Sequence, residues 1–103
     1  MPMFHTSGCG MITLNCLQAG YRMLLVEFFA SLAVMDQVEI SGADIILGVP
    51  PMIGVLLCEQ EARVRNLSAL KLVSFGCSIV SPDLVRRVHS LMRARFSIFY
   101  GQT

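Results

Sequence analysis

Three short polar stretches of the sequence contain residue types that bind ligands, and each follows an apolar run. The last of them, Gly101-Gln102-Thr103, comes directly after the aromatic pair Phe99-Tyr100. The other two are Gly76-Cys77-Ser78 and His5-Thr6-Ser7-Gly8. An aromatic ring offers a flat surface, glycine allows close approach to the backbone, and a hydroxyl group can donate to a phosphate oxygen. If the apolar runs are parallel strands, these stretches lie where open α/β sheets bind their ligands.

The chain alternates between strand patterns and helix patterns. Five apolar runs predict strands, at residues 1–4, 21–27, 43–49, 70–75 and 96–100. The segments between them carry apolar residues at helical spacing, with helix ends marked by Gly20 and Gly42 and helix starts marked by Pro50 and Ser81-Pro82-Asp83. This order predicts the α/β class, a mostly parallel sheet of about five strands with helices on its faces. All three polar stretches should then open on one rim of the sheet.

The apolar content is high for a chain of this length. Of 103 residues, enough for one small domain, 54% are hydrophobic, and the mean hydropathy is +0.65. A membrane span needs about 20 consecutive apolar residues, and charged residues or Pro50-Pro51 interrupt each candidate. Parallel strands buried on both faces explain the composition better. A formal charge of +1 gives no electrostatic basis for nucleic-acid binding.

The four cysteines show neither a CxxC pair nor metal-ligand spacing. We expect free thiols, buried as small apolar side chains, in a reducing cytoplasm. The loop before the first predicted helix leaves two interpretations open, because a glycine-bearing loop at a helix N-terminus can hold an anion or be a simple turn.

Five motifs, in this order, resemble the adenylate-forming (AMP-binding) superfamily and its branch of acyl-CoA synthetases, the fatty-acid–CoA ligases. They are Pro2-Met3-Phe4-His5-Thr6-Ser7-Gly8, Gly48-Val49-Pro50-Pro51-Met52, Asn66-Leu67-Ser68-Ala69-Leu70-Lys71, Ser81-Pro82-Asp83-Leu84 and Tyr100-Gly101-Gln102-Thr103. The resemblance covers the whole chain but only a middle slice of the large N-terminal domain of that family. It implies that residues 1–103 are a partial adenylation domain, a fragment of a larger α/β domain.

The resemblance also implies a reaction and a set of cofactors. In this family a carboxylate attacks the α-phosphate of ATP to give an acyl-adenylate, and coenzyme A then displaces AMP to form a thioester. We therefore expect the parent enzyme to use ATP, Mg²⁺ and coenzyme A with a fatty acid as substrate. Two alternatives stay open: an aryl or amino-acid adenylating ligase, and a non-catalytic module that self-associates through an exposed sheet edge or apolar surface.

Individual residues take expected roles from the same resemblance. It implies that Tyr100 stacks on adenine, that Gly101 and Gln102 belong to the same nucleotide-binding loop, and that Thr103 reaches the phosphates. It places the turn Gly76-Cys77-Ser78 along adenine and His5 near the acyl group. Simpler interpretations also exist, with Tyr100 as a core aromatic residue and His5 as a loop histidine bonded to backbone.

The sequence departs from the family pattern in ways that bear on activity. Cys77 stands where the turn has a second glycine, and Ile79 stands where a proline is common. The phosphate loop, the acidic magnesium ligand after the Thr103 position, the ribose-binding aspartate and the catalytic lysine of the family all fall outside these residues. We expect this chain alone to have no complete set of catalytic residues, no metal site, no activity and no tight nucleotide binding.

Overall fold

Three parallel strands form the sheet in the computed structural model, which describes residues 1–76 and 78–101. They are β1 (Ile45–Gly48), β2 (Leu72–Phe75) and β3 (Arg95–Ile98), in the order β1-β2-β3. The register aligns Gly48 with Phe75, and Phe75 with Ile98, as the last row of the sheet. The predicted α/β class with a parallel sheet is confirmed, although the described residues contain three strands and not about five.

Four helical segments accompany the strands. α1 is a π-helical stretch, Ser7–Leu14, that continues as the α-helix Asn15–Ala19; α2 is Ser31–Ser41; α3 is Pro50–Ala62; and α4 is Pro82–Arg87, which continues as the π-helical stretch Val88–Met92. Gly20 and Gly42 end α1 and α2 with φ of 70° and 64°, a left-handed conformation that glycine adopts without strain. The Ser81 hydroxyl caps α4 by accepting from the Leu84 N–H at 3.2 Å. These predicted helix boundaries are confirmed.

One hydrophobic core joins the sheet to α2, α3 and α4. Its fully buried members include Val73 and Phe75 of β2, which point to the same face because strand residues two apart share a face. The core residues contributed by the helices are Met35, Val38, Ile53, Leu56, Leu57, Val88 and Met92. Full burial of one such side chain contributes about 1.5–3 kcal/mol, so this cluster holds the helices on the sheet.

The two predicted strands nearest the start of the chain are absent, although every residue there is described. Met3 and Phe4 form a turn that the Pro2 carbonyl closes by accepting from the His5 N–H at 3.1 Å. Residues 21–27 have irregular backbone without a ladder partner, and Tyr21 and Leu25 are 72% and 65% exposed. The prediction of strands at 1–4 and 21–27 was wrong because an apolar run becomes a strand only where a neighbouring backbone pairs with it.

Much of the apolar composition lies at the surface and not in the core. Phe4 and Ile79 are 95% and 94% exposed. The described cysteines Cys9, Cys16 and Cys58 are free thiols, as predicted, but Cys9 and Cys58 are exposed, so the expectation that they are buried was wrong. Among the described residues, the helices are all too short or too polar to cross a bilayer.

Candidate functional site

Two of the three predicted polar stretches emerge side by side at one edge of the sheet. Backbone hydrogen bonds continue the ladder one residue beyond its last row, from the Gly76 N–H to the Gly48 carbonyl at 3.2 Å and from the Phe99 N–H to the Phe75 carbonyl at 3.0 Å. Neighbouring strands lie about 4.8 Å apart. Gly76, where the predicted turn begins, is therefore next to the segment that starts at Tyr100. We call the described residues of this edge, Gly76, Ser78, Tyr100 and Gly101, the carboxyl rim.

Gly76 is buried at the base of the rim. A Cβ atom built on it would fall on the Cε2 and Cζ atoms of the Phe99 ring. Any side chain at position 76 would therefore displace that ring or the backbone of the turn.

Tyr100 projects from the rim into solvent. Its side chain is 85% exposed, which contradicts the alternative that it is a core aromatic residue and leaves both faces of the ring accessible to a flat ligand. Ser78 and Gly101 are also exposed. The predicted site residues Cys77, Gln102 and Thr103 lie outside the described residues.

His5 lies in the turn before α1 and forms its hydrogen bonds locally. Its Nδ1 accepts from the Ser7 N–H at 3.2 Å and lies 2.9 Å from the Ser7 hydroxyl. Because a backbone N–H group can only donate, Nδ1 is the acceptor in the bond with the Ser7 N–H. The backbone-bonded interpretation of His5 is thus observed. Within the described part of the chain, no hydrogen bond or ion pair joins His5 to the carboxyl rim.

The most buried charge in the described residues was missed by the sequence analysis. The Arg65 side chain is fully buried; its Nε donates to Asp36 at 2.8 Å, and its Nη1 donates to the carbonyls of Glu59 and Arg63 at 3.1 and 3.2 Å. The Gln60 amide also bonds both backbone groups of Arg65, each at 3.1 Å. Arg65 is thus a buried charged residue within a polar stretch of the sequence, where charged side chains are usually exposed.

The neighbourhood of Asp36 explains this burial. Arg63 forms a second ion pair with the same carboxylate, and the hydrogen bond from Arg65 holds the pKa of Asp36 below its usual value. The alternation Arg63-Val64-Arg65 suggests a buried valine, yet Val64 is 83% exposed. No local pattern identifies Arg65, because its partner Asp36 lies on α2. This cluster ties α2 to the segment before β2 and adds no side chain to the carboxyl rim.

The carboxyl rim has the chemistry to bind a flat, polar ligand but not to bind a metal ion. An exposed aromatic ring, a glycine-bearing turn and a serine hydroxyl suit a nucleobase. Within residues 1–76 and 78–101, no three His, Cys, Asp or Glu side chains come close enough together to hold a metal. Proteins usually hold Mg²⁺ through one or two carboxylates, and none of the four described rim residues carries one, so the rim does not fit the Mg²⁺ ion that the resemblance implies.

Comparison with known proteins connects this geometry to a family. All of residues 1–103 match the family described as AMP-binding enzyme. The indoleacetate–CoA ligase of Aromatoleum aromaticum is 28% identical over 89 residues, which are 86% of this chain and 18% of that protein. The 4-coumarate–CoA ligase 5 of Oryza sativa is 30% identical over 105 residues, covering 100% of this chain and 19% of that protein.

Solved structures agree with the sequence relatives. The crystal structure of a long-chain-fatty-acid-CoA ligase, FadD1, from Archaeoglobus fulgidus superimposes with a TM-score of 0.87 at 25% identity, covering 99% of this chain and 22% of that chain. The chain thus spans about a fifth of the length of the proteins it matches. Because the family match extends over every residue, the chain belongs to the AMP-binding enzyme family.

Proposed function

We propose that this chain forms the adenine-facing edge of an ATP-dependent acyl-CoA synthetase. The observation that carries the proposal is the position of the Gly76 turn beside Tyr100 at the carboxyl ends of two adjacent parallel strands, in a chain whose whole length matches the AMP-binding family. Ligands of open α/β sheets bind at such an edge. In this proposal the Tyr100 ring stacks on adenine, and the backbone from Gly76 to Ser78 lies along the other edge of the base.

The reaction needs binding and orientation from these residues. A carboxylate oxygen bonds to the α-phosphorus of ATP while the bond to the leaving pyrophosphate breaks; the coenzyme A thiol then loses its proton, attacks the acyl carbon and releases AMP. Fixing adenine at one end of ATP restricts where the α-phosphorus lies, and such positioning is a large part of catalysis. His5 is our candidate for a contact near the acyl group. Gln102 and Thr103 stay candidates for the nucleotide and its phosphates.

A nucleotide titration of this chain tests the rim directly. We expect AMP to bind weakly, with a dissociation constant of about 1 mM or more, which is equivalent to about −4 kcal/mol. Binding, followed by the broadening of the AMP proton signals in NMR spectra so that the readout does not depend on tyrosine, should be lost in Tyr100→Ala. Tyr21→Ala is the matched control, since Tyr21 is also exposed (72%) but lies outside the rim. Equal loss of binding in both variants, or no binding by the unchanged chain, would contradict the proposed site.

An activity assay tests the proposal that the chain alone is catalytically inactive. We expect no release of pyrophosphate from ATP and a carboxylic acid above the blank, because no set of residues that stabilises charge on phosphorus is among the described residues, and removal of even one such donor typically costs about 10²–10³ in rate. Release above the blank that disappears in Tyr100→Ala would show that the chain is a complete catalyst.

We propose a carboxylic acid as the acyl donor and a fatty acid as its first candidate, with an aryl acid as the competing candidate. The relatives include ligases named for indoleacetate, 4-coumarate and long-chain fatty acids. A synthetase that contains this chain should therefore be assayed with both classes, and with amino acids as a third class. As part of the same proposal we place the enzyme in the cytoplasm, where the free thiols of Cys9, Cys16 and Cys58 stay reduced.

A second candidate function is self-association through β3. This strand lies at the edge of the three-stranded sheet, and its apolar side chains Phe96 and Ile98 are 48% and 58% exposed. An unpaired edge with apolar side chains favours pairing with another copy of the chain. Size-exclusion chromatography at micromolar concentration decides this: a dimer that Ile98→Lys converts to a monomer supports it, and a monomeric unchanged chain contradicts it.

A further inference from the structure

We infer that position 76 is a glycine because the Phe99 ring occupies the space of its side chain, and that Phe99 thereby positions the turn on which adenine lies. The first half of this inference concerns only contacts within the chain. The second half rests on the proposed function and names a positioning residue for the same site.

Three physical reasons can require a glycine: a positive φ, close approach of a ligand, and close approach of another part of the protein. The first does not apply to Gly76, because the positive φ values among the described residues belong to Gly20, Gly42 and Arg93. The third does apply. Besides the two ring atoms on which a Cβ would fall, Phe99 Cε1 would be 2.8 Å away, much closer than the usual contact of about 4 Å between apolar atoms.

The sheet register explains why these two residues meet. Phe75 pairs with Ile98 in the last row of the sheet, so Gly76 and Phe99 are cross-strand neighbours in the next row. Side chains directly opposite each other on one face are in contact distance. An aromatic ring across from a glycine covers the backbone that the missing side chain leaves open, which stabilises a sheet at such a position. Phe99 is partly buried, in agreement with this packing.

The Phe99 ring packs on Gly76, whereas the side chain of the next residue, Tyr100, is 85% exposed. One strand end thus holds both sides of the proposed adenine site, with the turn fixed by Phe99 and the stacking ring supplied by Tyr100. Loss of the Phe99 ring would let the turn shift relative to Tyr100 without removing any group that touches the nucleotide.

Thermal melting of four forms of the chain tests the contact itself: the unchanged chain, Gly76→Ala, Phe99→Ala and the double variant. We expect Gly76→Ala to lower the melting temperature by about 5 °C or more, since about 1 kcal/mol corresponds to such a shift in a domain of this size. In the double variant the new methyl group meets no ring, so the double variant should melt no lower than Phe99→Ala. Additive losses would overturn the inference, because neighbours in contact are non-additive.

AMP affinity tests the positioning role. A Tyr21→Phe background leaves Tyr100 as the reporter of binding, since the chain has 2 tyrosines and no tryptophan. We expect Phe99→Ala to raise the AMP dissociation constant about fivefold, equivalent to about 1 kcal/mol, and Phe99→Tyr to restore it because the ring is kept. Phe96→Ala is the matched control: it removes the same side chain from the same strand at a position that does not face Gly76.

The double variant, Gly76→Ala with Phe99→Ala, separates the two possible reasons for a glycine at position 76, which are room for the Phe99 ring and room for adenine. If Gly76→Ala with Phe99→Ala binds AMP as well as Phe99→Ala alone, the glycine makes room for the ring, as inferred. If the added methyl group weakens AMP binding further, the glycine makes room for adenine and the inference is overturned. An unchanged chain that binds no AMP would instead refute the proposed function, whereas the melting comparison would still decide the Phe99 contact.

Discussion

The first 29 residues are at least as rich in apolar side chains as the rest of the chain, yet among the described residues only the rest builds a core. In residues 1–29, which we call the N-terminal segment, the buried residues are Ser7 and Gly8, and Leu17 and Phe28 are 72% and 78% exposed. Residues 30–101, which we call the sheet region, contain the complete hydrophobic cluster of the described residues. An apolar sequence therefore becomes a core only where a second apolar surface covers it.

The N-terminal segment is held together by local hydrogen bonds. The Thr13 hydroxyl donates to the Gly8 carbonyl at 2.7 Å, and the Pro2 carbonyl occupies the space that a side chain at Gly8 would need. Bonds of this kind shape a helix but contribute little net free energy, because water replaces them when they break. We therefore expect the N-terminal segment to contribute much less to the free energy of unfolding than the sheet region. The four matched pairs below test this difference.

The largest expected effect comes from truncating a core leucine. Leu57→Ala, on a fully buried side chain of α3, should lower the free energy of unfolding by about 2–5 kcal/mol, because the lost contacts leave a cavity. Leu17→Ala in α1 should change it by less than about 0.5 kcal/mol. Urea denaturation followed by circular dichroism measures both. Equal losses would mean that the N-terminal segment unfolds with the core.

The two glycines with left-handed backbone give a smaller effect. Gly42→Ala should cost about 1–2 kcal/mol, the penalty for a side chain in that conformation. Gly20→Ala introduces the same strain at the end of α1, but we expect a change of less than about 0.5 kcal/mol in the same transition. Crowding does not explain the difference, since a Cβ on Gly42 would have 3.8 Å to its nearest neighbour and one on Gly20 would have none within 4 Å. If Gly20→Ala lowers the free energy of unfolding as much as Gly42→Ala does, the proposed difference between the N-terminal segment and the sheet region is contradicted.

Helix caps provide the third pair. Ser81→Ala removes the hydroxyl that accepts from the Leu84 N–H and should cost about 1 kcal/mol. Thr6 precedes α1 without a side-chain capping bond, so Thr6→Ala should cost less than about 0.5 kcal/mol. Ser81→Thr, which keeps the hydroxyl, should recover most of the loss in the same denaturation experiment. A Ser81→Thr variant as unstable as Ser81→Ala would argue against the cap.

The smallest expected effect depends on pH. The hydrogen bond from Arg65 lowers the pKa of Asp36 in the folded chain below its unfolded value of about 3.9. The stability from this carboxylate is therefore fully present above about pH 4 and is lost as the pH falls through the folded-state pKa. In Asp36→Asn the melting temperature should therefore fall less steeply than in the unchanged chain as the pH is lowered below about 4. Glu27→Gln, which removes a carboxylate from the N-terminal segment, is the matched control; a pH dependence that is unchanged in Asp36→Asn would contradict the assignment.

Local signals in the sequence were sufficient to predict most of the secondary structure of the sheet region. Gly42, Pro50 and Ser81 act through their own backbone or a neighbour a few residues away, so the boundaries of α2, α3 and α4 could be predicted. The three strands in this region were also predicted correctly. Of the three polar stretches predicted to open on one rim of the sheet, those at Gly76 and Tyr100 do so, whereas the stretch at His5 follows a turn and not a strand. The roles of these rim residues in binding a nucleotide stay predictions.

The features that the sequence did not predict share one cause, because each depends on a partner residue far away along the chain. The run at 21–27 has strand composition, but no strand of the described sheet pairs with it. Arg65 is buried because Asp36, on another helix, forms an ion pair with it. The contact of Phe99 with Gly76 depends on the register of β3 against β2. None of these partners can be located from composition or spacing, which report on neighbours along the chain.

The sheet order β1-β2-β3 follows the order of the chain, and this bears on synthesis by the ribosome. Each later strand pairs with the strand made immediately before it, so within residues 1–76 and 78–101 the three strands can pair in the order in which they are synthesised. β3 leads directly into Phe99 and Tyr100, so these two residues of the proposed site take their positions once β3 has paired with β2.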